Sequence, residues 1–413
     1  MRGSRRLDGV PEYLSTRLMR TVAEARARGV DVISLGIGDP DTPPPLELRE
    51  EIGRQALRDD LHIYPSNHGI APLREAVAAH YRTRFGVELD PEREVMPLLG
   101  AKEGLAHLCL AQLDPGDVAL VADPGYPVYY GGPALAGGEA IGLPLRAENG
   151  FLPDLDGIPE EDSRRAGLLI CGYPNNPTGA VADAAFYERL ATWGIQRGVP
   201  ICHDNAYAEL TYDGIVAPSF LSAPSGREAG IEIYSLSKSL SMPGWRVAFA
   251  VGNAELIGRL RTLKTNIDAG MWLAEQHAAI RAIERVPSFT AGLRELYGRR
   301  RDVLCDGLGR LGLEHVRPRG ALYVWVRVPG GGGSIAFAER LLTEAAVATC
   351  CATASTASVW STSARAERST YGHACPAEAA RSHSPSACSS RQRSSSGLGQ
   401  PTDPRATATC ACR

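Results

Sequence analysis

A lysine stands among small hydroxyl residues in Ser235-Leu236-Ser237-Lys238-Ser239, and Gly244-Trp245-Arg246 follows. Deprotonated in a desolvated site, such an amine can attack an aldehyde, and neighbouring positive charge lowers its pKa towards that state. Arg246 offers a bidentate grip on a phosphate, and the hydroxyls of Ser235 and Ser237 add hydrogen bonds. Alone, the string reads better as a surface lysine in a serine-rich turn. Its company argues otherwise. In His203-Asp204-Asn205-Ala206-Tyr207, Asp204 follows an apolar run and can pair with a protonated pyridine nitrogen. Tyr207, and Asn176 in Tyr173-Pro174-Asn175-Asn176-Pro177-Thr178-Gly179, can donate to an oxygen on such a ring. Tyr126, in Asp123-Pro124-Gly125-Tyr126-Pro127, can stack on it. Gly100-Ala101-Lys102 opens a helix whose first amides form an anion site. Each string has an ordinary reading as a turn or a helix start; His203 and Trp245 read as packing.

Strand-like runs at Val118–Ala122, Gly167–Cys171, Val199–His203 and Val247–Val251 alternate with helical patterns, which predicts a doubly wound, mostly parallel α/β sheet. In such sheets ligands bind outside the carboxyl ends of the strands, where Asn176 and Asp204 fall. One helix is expected from Ala71 to a glycine cap at Gly86, and another from Lys102 to Leu113. A second lobe is expected from about residue 290, with a helix leading to a strand at Ala321–Val328. Net charge is −3, with no basic face for nucleic acid. No run of about twenty apolar residues suggests a membrane span, and the N-terminus lacks the apolar core of a secretory signal; a cytoplasmic enzyme is expected. Ten cysteines show no metal-type spacing with matching histidines, and no metal is expected.

The strings PEYLSTRL, DVISLGIGDPD, YPSNHGIAPLREAVA, GAKEGLAHL, DPGYPVYY, YPNNPTG, SLSKSLSMPGWRVAFAVG, TNIDAGMWLAEQHAA and ALYVWV occur in one order. Over about residues 7–347 the chain resembles class I/II aminotransferases, enzymes of fold type I that use pyridoxal 5'-phosphate. Within them it is most similar to LL-diaminopimelate aminotransferases and bacterial aspartate and alanine relatives. The resemblance implies a large domain with a doubly wound sheet and a smaller α+β domain. It divides the chain into an N-terminal arm (1–45), a cofactor domain (46–289), a truncated small domain (290–347) and a tail (348–413). It implies that Lys238 carries the cofactor and shuttles the proton and that Asp204 meets the ring nitrogen. Tyr207 and Asn176 would bind the ring oxygen, and Tyr126 would stack. Ala101, Lys102, Ser235, Ser237 and Arg246 would hold the phosphate. Tyr64 and Asn266 would reach the neighbouring subunit's site in a homodimer, and Tyr13 and Gly38 would line the substrate. The reaction implied is transfer of an amino group from LL-diaminopimelate, aspartate or alanine to a 2-oxo acid. A cofactor-binding protein without that activity, or a lyase on the same fold, are the competing readings.

After Val347 the character changes. Residues 349–413 hold thirteen serines but one Val, one Leu, no Ile and no Phe, too little apolar surface to offset ordering entropy. The family places here an arginine that grips the substrate α-carboxylate, on a glycine- and aromatic-rich segment; no such segment is present. The composition is that of GC-rich DNA read out of frame. The codons of Trp360 and Ser361 are compatible with a glutamate in another frame, and the arginine codon would then straddle Ser363 and Ala364. Arg365 and Arg368 lack a supporting context. The expectation is a chain that binds the cofactor and transaminates poorly.

Overall fold

The computed structural model describes residues 3–10, 14–331, 333–351 and 357–361. After α1 (Leu14–Ala27) and β1 (Ile33–Ser34), α2 (Leu46–Ala56) and α3 (Ala71–Phe85) lead into β2 (Val95–Leu99). Helices and strands then alternate through α4 (Ala101–Gln112), β3 (Val118–Asp123), α5 (Val128–Ala136), β4 (Glu139–Pro144), α6 (Glu160–Arg165) and β5 (Ala166–Cys171). The alternation continues with α7 (Ala184–Arg197), β6 (Ile201–Asn205), α8 (Gly226–Ala229), β7 (Gly230–Ser235), α9 (Leu236–Ser239), β8 (Val247–Gly252) and α10 (Ala254–Ile267). The long α11 (Leu273–Arg310) precedes β9 (His315–Val316), β10 (Tyr323–Arg327) and α12 (Ser334–Ala345). Three short strands follow: β11 (Val347–Ala348), β12 (Cys350–Cys351) and β13 (Ala357–Ser361).

Seven strands form the main sheet in the order β2-β8-β7-β6-β5-β3-β4. Only β8 runs against its neighbours, so the sheet is mostly parallel, as the alternating pattern predicts. Side chains of β3 alternate between two cores: Val118, Leu120 and Ala122 face one, Ala119 and Val121 the other. Both faces are therefore covered, which is why these strands read as continuous apolar runs. α3 packs on one face through Leu73, Val77 and Tyr81, and α4 and α10 on the other through Leu105, Leu108 and Ile257. Gly86 caps α3 in the left-handed region at φ 69°, where a side chain would be strained.

Several boundaries differ from those expected. β6 begins at Ile201 rather than Val199, because the Val199 amide donates to Gly194 O and finishes the exit from α7. Asp204 thus lies inside the last residues of the strand. β10 is shorter than Ala321–Val328, since Ala321 has φ 60° and cannot continue a strand. No helix starts at 290: α11 runs unbroken from Leu273, with Pro287 inside it. The Thr290 hydroxyl donates to Val286 O at 2.8 Å in that stretch, where the proline has no N–H to give.

The small sheet has the order β12-β13-β10-β9. The tail boundary at 348 is corrected in part. Cys350–Cys351 and Ala357–Ser361 are strands, with Tyr323 opposite Ser361 and Arg327 opposite Ala357. Without β13, β10 would present an edge of unpaired amides and carbonyls. What was expected of residues 362–413 lies outside the described residues. Among the described residues no helix is long and apolar enough to cross a membrane.

Candidate active site

The carboxyl ends of β5, β6 and β7 and the start of α4 converge on one place. β7 ends at Ser235, whose hydroxyl accepts the Ser237 amide and caps the short α9. This turn sets Lys238 beside the N-terminal segment. Its Nζ donates to Gly38 O at 2.7 Å and to Asp39 Oδ1 at 3.2 Å. Burial lowers the Lys238 pKa; Asp39 opposes the shift and Arg246 adds to it. The chain has only three lysines, Lys102, Lys238 and Lys264. Lys264 is buried in ion pairs with Glu103 at 3.0 Å and Asp268 at 2.7 Å, and Lys102 is exposed. Of the three, Lys238 is the one set just beyond the carboxyl end of β7, with its side chain largely enclosed.

Arg246 has φ 60° and donates to Pro243 O at 2.7 Å. Its guanidinium lies against the start of α4: a Cβ on Gly100 would fall 2.1 Å from Arg246 Nη2, at a residue with φ 90°. Only glycine fits there. The first amides of α4, at Ala101 and Lys102, and the guanidinium therefore share one anion-binding corner, with Ser235 and Ser237 buried.

Asp204 receives the Tyr129 hydroxyl on Oδ2 at 3.0 Å. Its Oδ1 is enclosed and, among the described residues, has no hydrogen-bond partner. Burial raises the carboxyl to about 6, against the hydrogen bond from Tyr129. Tyr207 is buried, and its hydroxyl lies 2.9 Å from that of Tyr323. Burial, then Tyr323, Asp204 and Tyr126 raise the Tyr207 pKa, which places these groups around one space. Tyr126 meets Tyr129 edge-on, with ring centroids 6.2 Å apart. Asn176 sits in a turn held by its neighbour: Asn175 Oδ1 accepts from the Thr178 amide and hydroxyl, and Asn175 N donates to Ala180 O at 2.8 Å.

Gly38, in the N-terminal segment, packs against Tyr323 at the site. A Cβ there would fall 2.2 Å from the Tyr323 hydroxyl, so its small size lets Tyr323 reach Tyr207. The contacts thus bring together Lys238, Gly38, Tyr207, Asp204, Tyr126, Arg246, Ala101, Lys102, Ser235 and Ser237. Tyr64 and Asn266 stand apart from that cluster. Tyr64 is 90% exposed, and Asn266 donates back to Thr262 O of its own helix. Tyr13 lies outside the described residues.

Sequence reading missed Tyr129, Asp39, Tyr323 and Glu275. Tyr129 is three residues beyond Tyr126, a helical spacing that could have signalled it. Glu275, in the first turn of α11, is raised to about 7 by burial, with Arg246 pulling the other way. Nothing local in the sequence marks it.

Comparison with known proteins follows this geometry. The family model "Aminotransferase class I and II" matches residues 30–368. The LL-diaminopimelate aminotransferase of Moorella thermoacetica is 48% identical over 347 residues, 84% of this chain and 89% of that protein. That of Desulforudis audaxviator is 48% identical over 83% of this chain and 88% of its own. Among solved structures, substrate-bound BacF from Bacillus subtilis has a TM-score of 0.85 at 34% identity, covering 89% of this chain and 95% of its own. Aspartate aminotransferase from Thermus thermophilus with maleate has a TM-score of 0.81 at 32% identity, covering 88% and 96%.

Proposed function

We propose, for a chain that belongs to the class I and II aminotransferases, that Lys238 is its covalent anchor and proton carrier and LL-diaminopimelate its amino donor. The chain is a pyridoxal-phosphate-dependent transaminase. The residues present fit that cofactor: an enclosed carboxylate oxygen without a partner, on Asp204, suits the ring nitrogen. The Gly100–Arg246 corner suits the phosphate. The observation that carries the assignment is the place of Lys238: the turn after β7 sets its largely enclosed amine against Gly38 O, with the Arg246 charge near enough to act on it.

When bound, pyridoxal phosphate supplies an aldehyde that bonds to amines and a protonated ring that withdraws electrons from the amino-acid α-carbon. Asp204 Oδ1 would accept from the ring nitrogen and keep it protonated. Tyr207 and Asn176 would donate to the ring oxygen, and Tyr126 would cover the ring. The amides of Ala101 and Lys102, the hydroxyls of Ser235 and Ser237, and Arg246 would hold the phosphate. Lys238 Nζ, whose pKa burial lowers towards the free amine, would take the α-proton of the substrate and later return it as an acid. Gly38 would line the substrate, a role the family resemblance also gives to Tyr13. The two half-reactions share one site, so kinetics are ping-pong.

The donor assignment is supported by the 48% identity to two LL-diaminopimelate aminotransferases. Steady-state kinetics with LL-diaminopimelate, L-aspartate and L-alanine test it; a higher kcat/KM for either of the latter would overturn it. Tyr64, almost wholly exposed, and Asn266 fit a role in a second subunit's site. We propose a cytoplasmic homodimer, which light scattering of the loaded protein checks.

A second reading concerns the tail. Residues 349–413 hold no glycine-rich, aromatic, arginine-bearing segment, so the α-carboxylate clamp is absent and the chain is impaired in transamination. Sequencing the gene through codons 340–370 tests the frame-shift account; a single frame shared with close homologues would sink it.

A further inference from the structure

His203 and Glu232 face each other across β6 and β7 and are both wholly buried. Glu232 receives five donors. The hydroxyls of Tyr81 (2.7 Å) and Ser219 (3.0 Å) and the Asn205 amide (2.9 Å) reach Oε1. His203 Nδ1 (2.8 Å) and the Phe220 amide (2.9 Å) reach Oε2. Burial pushes the Glu232 pKa up, and the hydrogen bonds led by that from His203 outweigh it, leaving the carboxyl below its ordinary value. The opposite nitrogen, His203 Nε2, accepts the backbone N–H of Tyr173 at 3.2 Å and lies 3.0 Å from the Tyr187 hydroxyl. A backbone amide can only donate, so Nε2 carries no proton and Nδ1 does. Glu232 accepts that proton's hydrogen bond and holds the ring in this tautomer.

A buried charge of this kind adds little to stability compared with packed apolar side chains, so its position calls for another explanation. Tyr173 begins the turn that carries Asn176. Asp204 is the next residue after His203, on the other face of the strand. Asn205, two residues before Tyr207, is tied to Glu232, and β7 runs on from Glu232 to Ser235, the residue that caps α9 and its Lys238.

We propose that His203 and Glu232 are a positioning pair for the cofactor site, with the neutral His203 ring fixing the Tyr173–Gly179 turn so that Asn176 meets the ring oxygen. The inference rests on the assignment of Lys238 and Asn176 above. Two substitutions separate the two nitrogens. His203→Gln keeps an acceptor where Nε2 stands; His203→Asn keeps only a donor to Glu232 and strands the Tyr173 amide.

The experiment measures pyridoxal phosphate affinity and the visible absorbance of the bound cofactor across pH, for wild type, both His203 variants, Asn176→Ala and Lys238→Ala. His203→Asn should weaken affinity about tenfold and shift the pH midpoint of the band in the direction Asn176→Ala shifts it, while His203→Gln stays within about twofold of wild type. Equal affinity and midpoint in wild type and His203→Asn would overturn the pair's role, whatever happens to melting temperature. Retention of the band in Lys238→Ala would instead overturn the site assignment. Should the His203 variants not fold, Glu232→Gln carries the test: a shifted midpoint supports the pairing and an unshifted one removes it.

Discussion

Between β6 and β7, donors from three parts of the chain close on one carboxylate: Tyr81 of α3, His203 and Asn205 of β6, and Ser219 with the Phe220 amide before α8 all bond Glu232. In the small sheet, β10 and β13 meet as a five-residue backbone ladder. The first region fixes the direction of individual groups, because a buried donor left unmatched costs about 1–3 kcal/mol. The ladder fixes only a register. In the function proposed above, the cofactor side of the site draws on residues up to Arg246, while the substrate side would depend on the stretch after Val347. The difference suggests that cofactor binding and substrate turnover can fail separately in this protein.

Four changes probe that separation. Lys238→Ala should lower transamination by about a thousandfold or more, with substrate and cofactor otherwise able to bind; a single-turnover assay with pyridoxamine phosphate and 2-oxoglutarate measures it. Replacing residues 348–413 by the arginine-bearing C-terminal segment of an LL-diaminopimelate aminotransferase should raise kcat/KM about ten- to a hundredfold. Cofactor affinity should not change; a gain in affinity alone would break the comparison. Gly100→Ala places a methyl group against Arg246 at a residue with φ 90°. It should weaken cofactor affinity about tenfold, read by fluorescence titration, with little change in kcat at saturation.

The smallest effect is one of pH. Asp204 is raised from 3.8 to about 6 in the cofactor-free chain. The folded state therefore holds this proton more tightly than the unfolded one. Its contribution is complete below about pH 4 and is lost as pH rises through about 6, a change of about 2–3 kcal/mol. Asp204→Asn should remove that loss, so the cofactor-free variant should gain on wild type in melting temperature between pH 4 and 7.

Much of this was legible in the sequence. Lys238, Asp204 and Arg246 sit at strand ends, where apolar runs stop and the chain turns, and the alternation of β3 and its neighbours announced the sheet. Other features were not. Tyr323 reaches Tyr207 only because Gly38 is small, a contact between residues 116 apart in the case of the two tyrosines. His203 read as packing because its partner Glu232 lies on another strand, and pairing across strands leaves no local signal. The helix expected from about residue 290 is the later part of α11, which runs on through Pro287, where Val286 and Leu293 are buried on either side. β13 was missed because composition suggested no order, whereas an open edge on β10 accepts backbone of almost any type.

The central claim is that Lys238 is the residue that bonds pyridoxal phosphate. Borohydride reduction of the cofactor-loaded protein, followed by peptide mass spectrometry, reads the bond directly. The cofactor's mass should appear on the peptide containing Lys238 and on neither of the other two lysines. A tag on Lys102 or Lys264, or none on Lys238, would contradict the account.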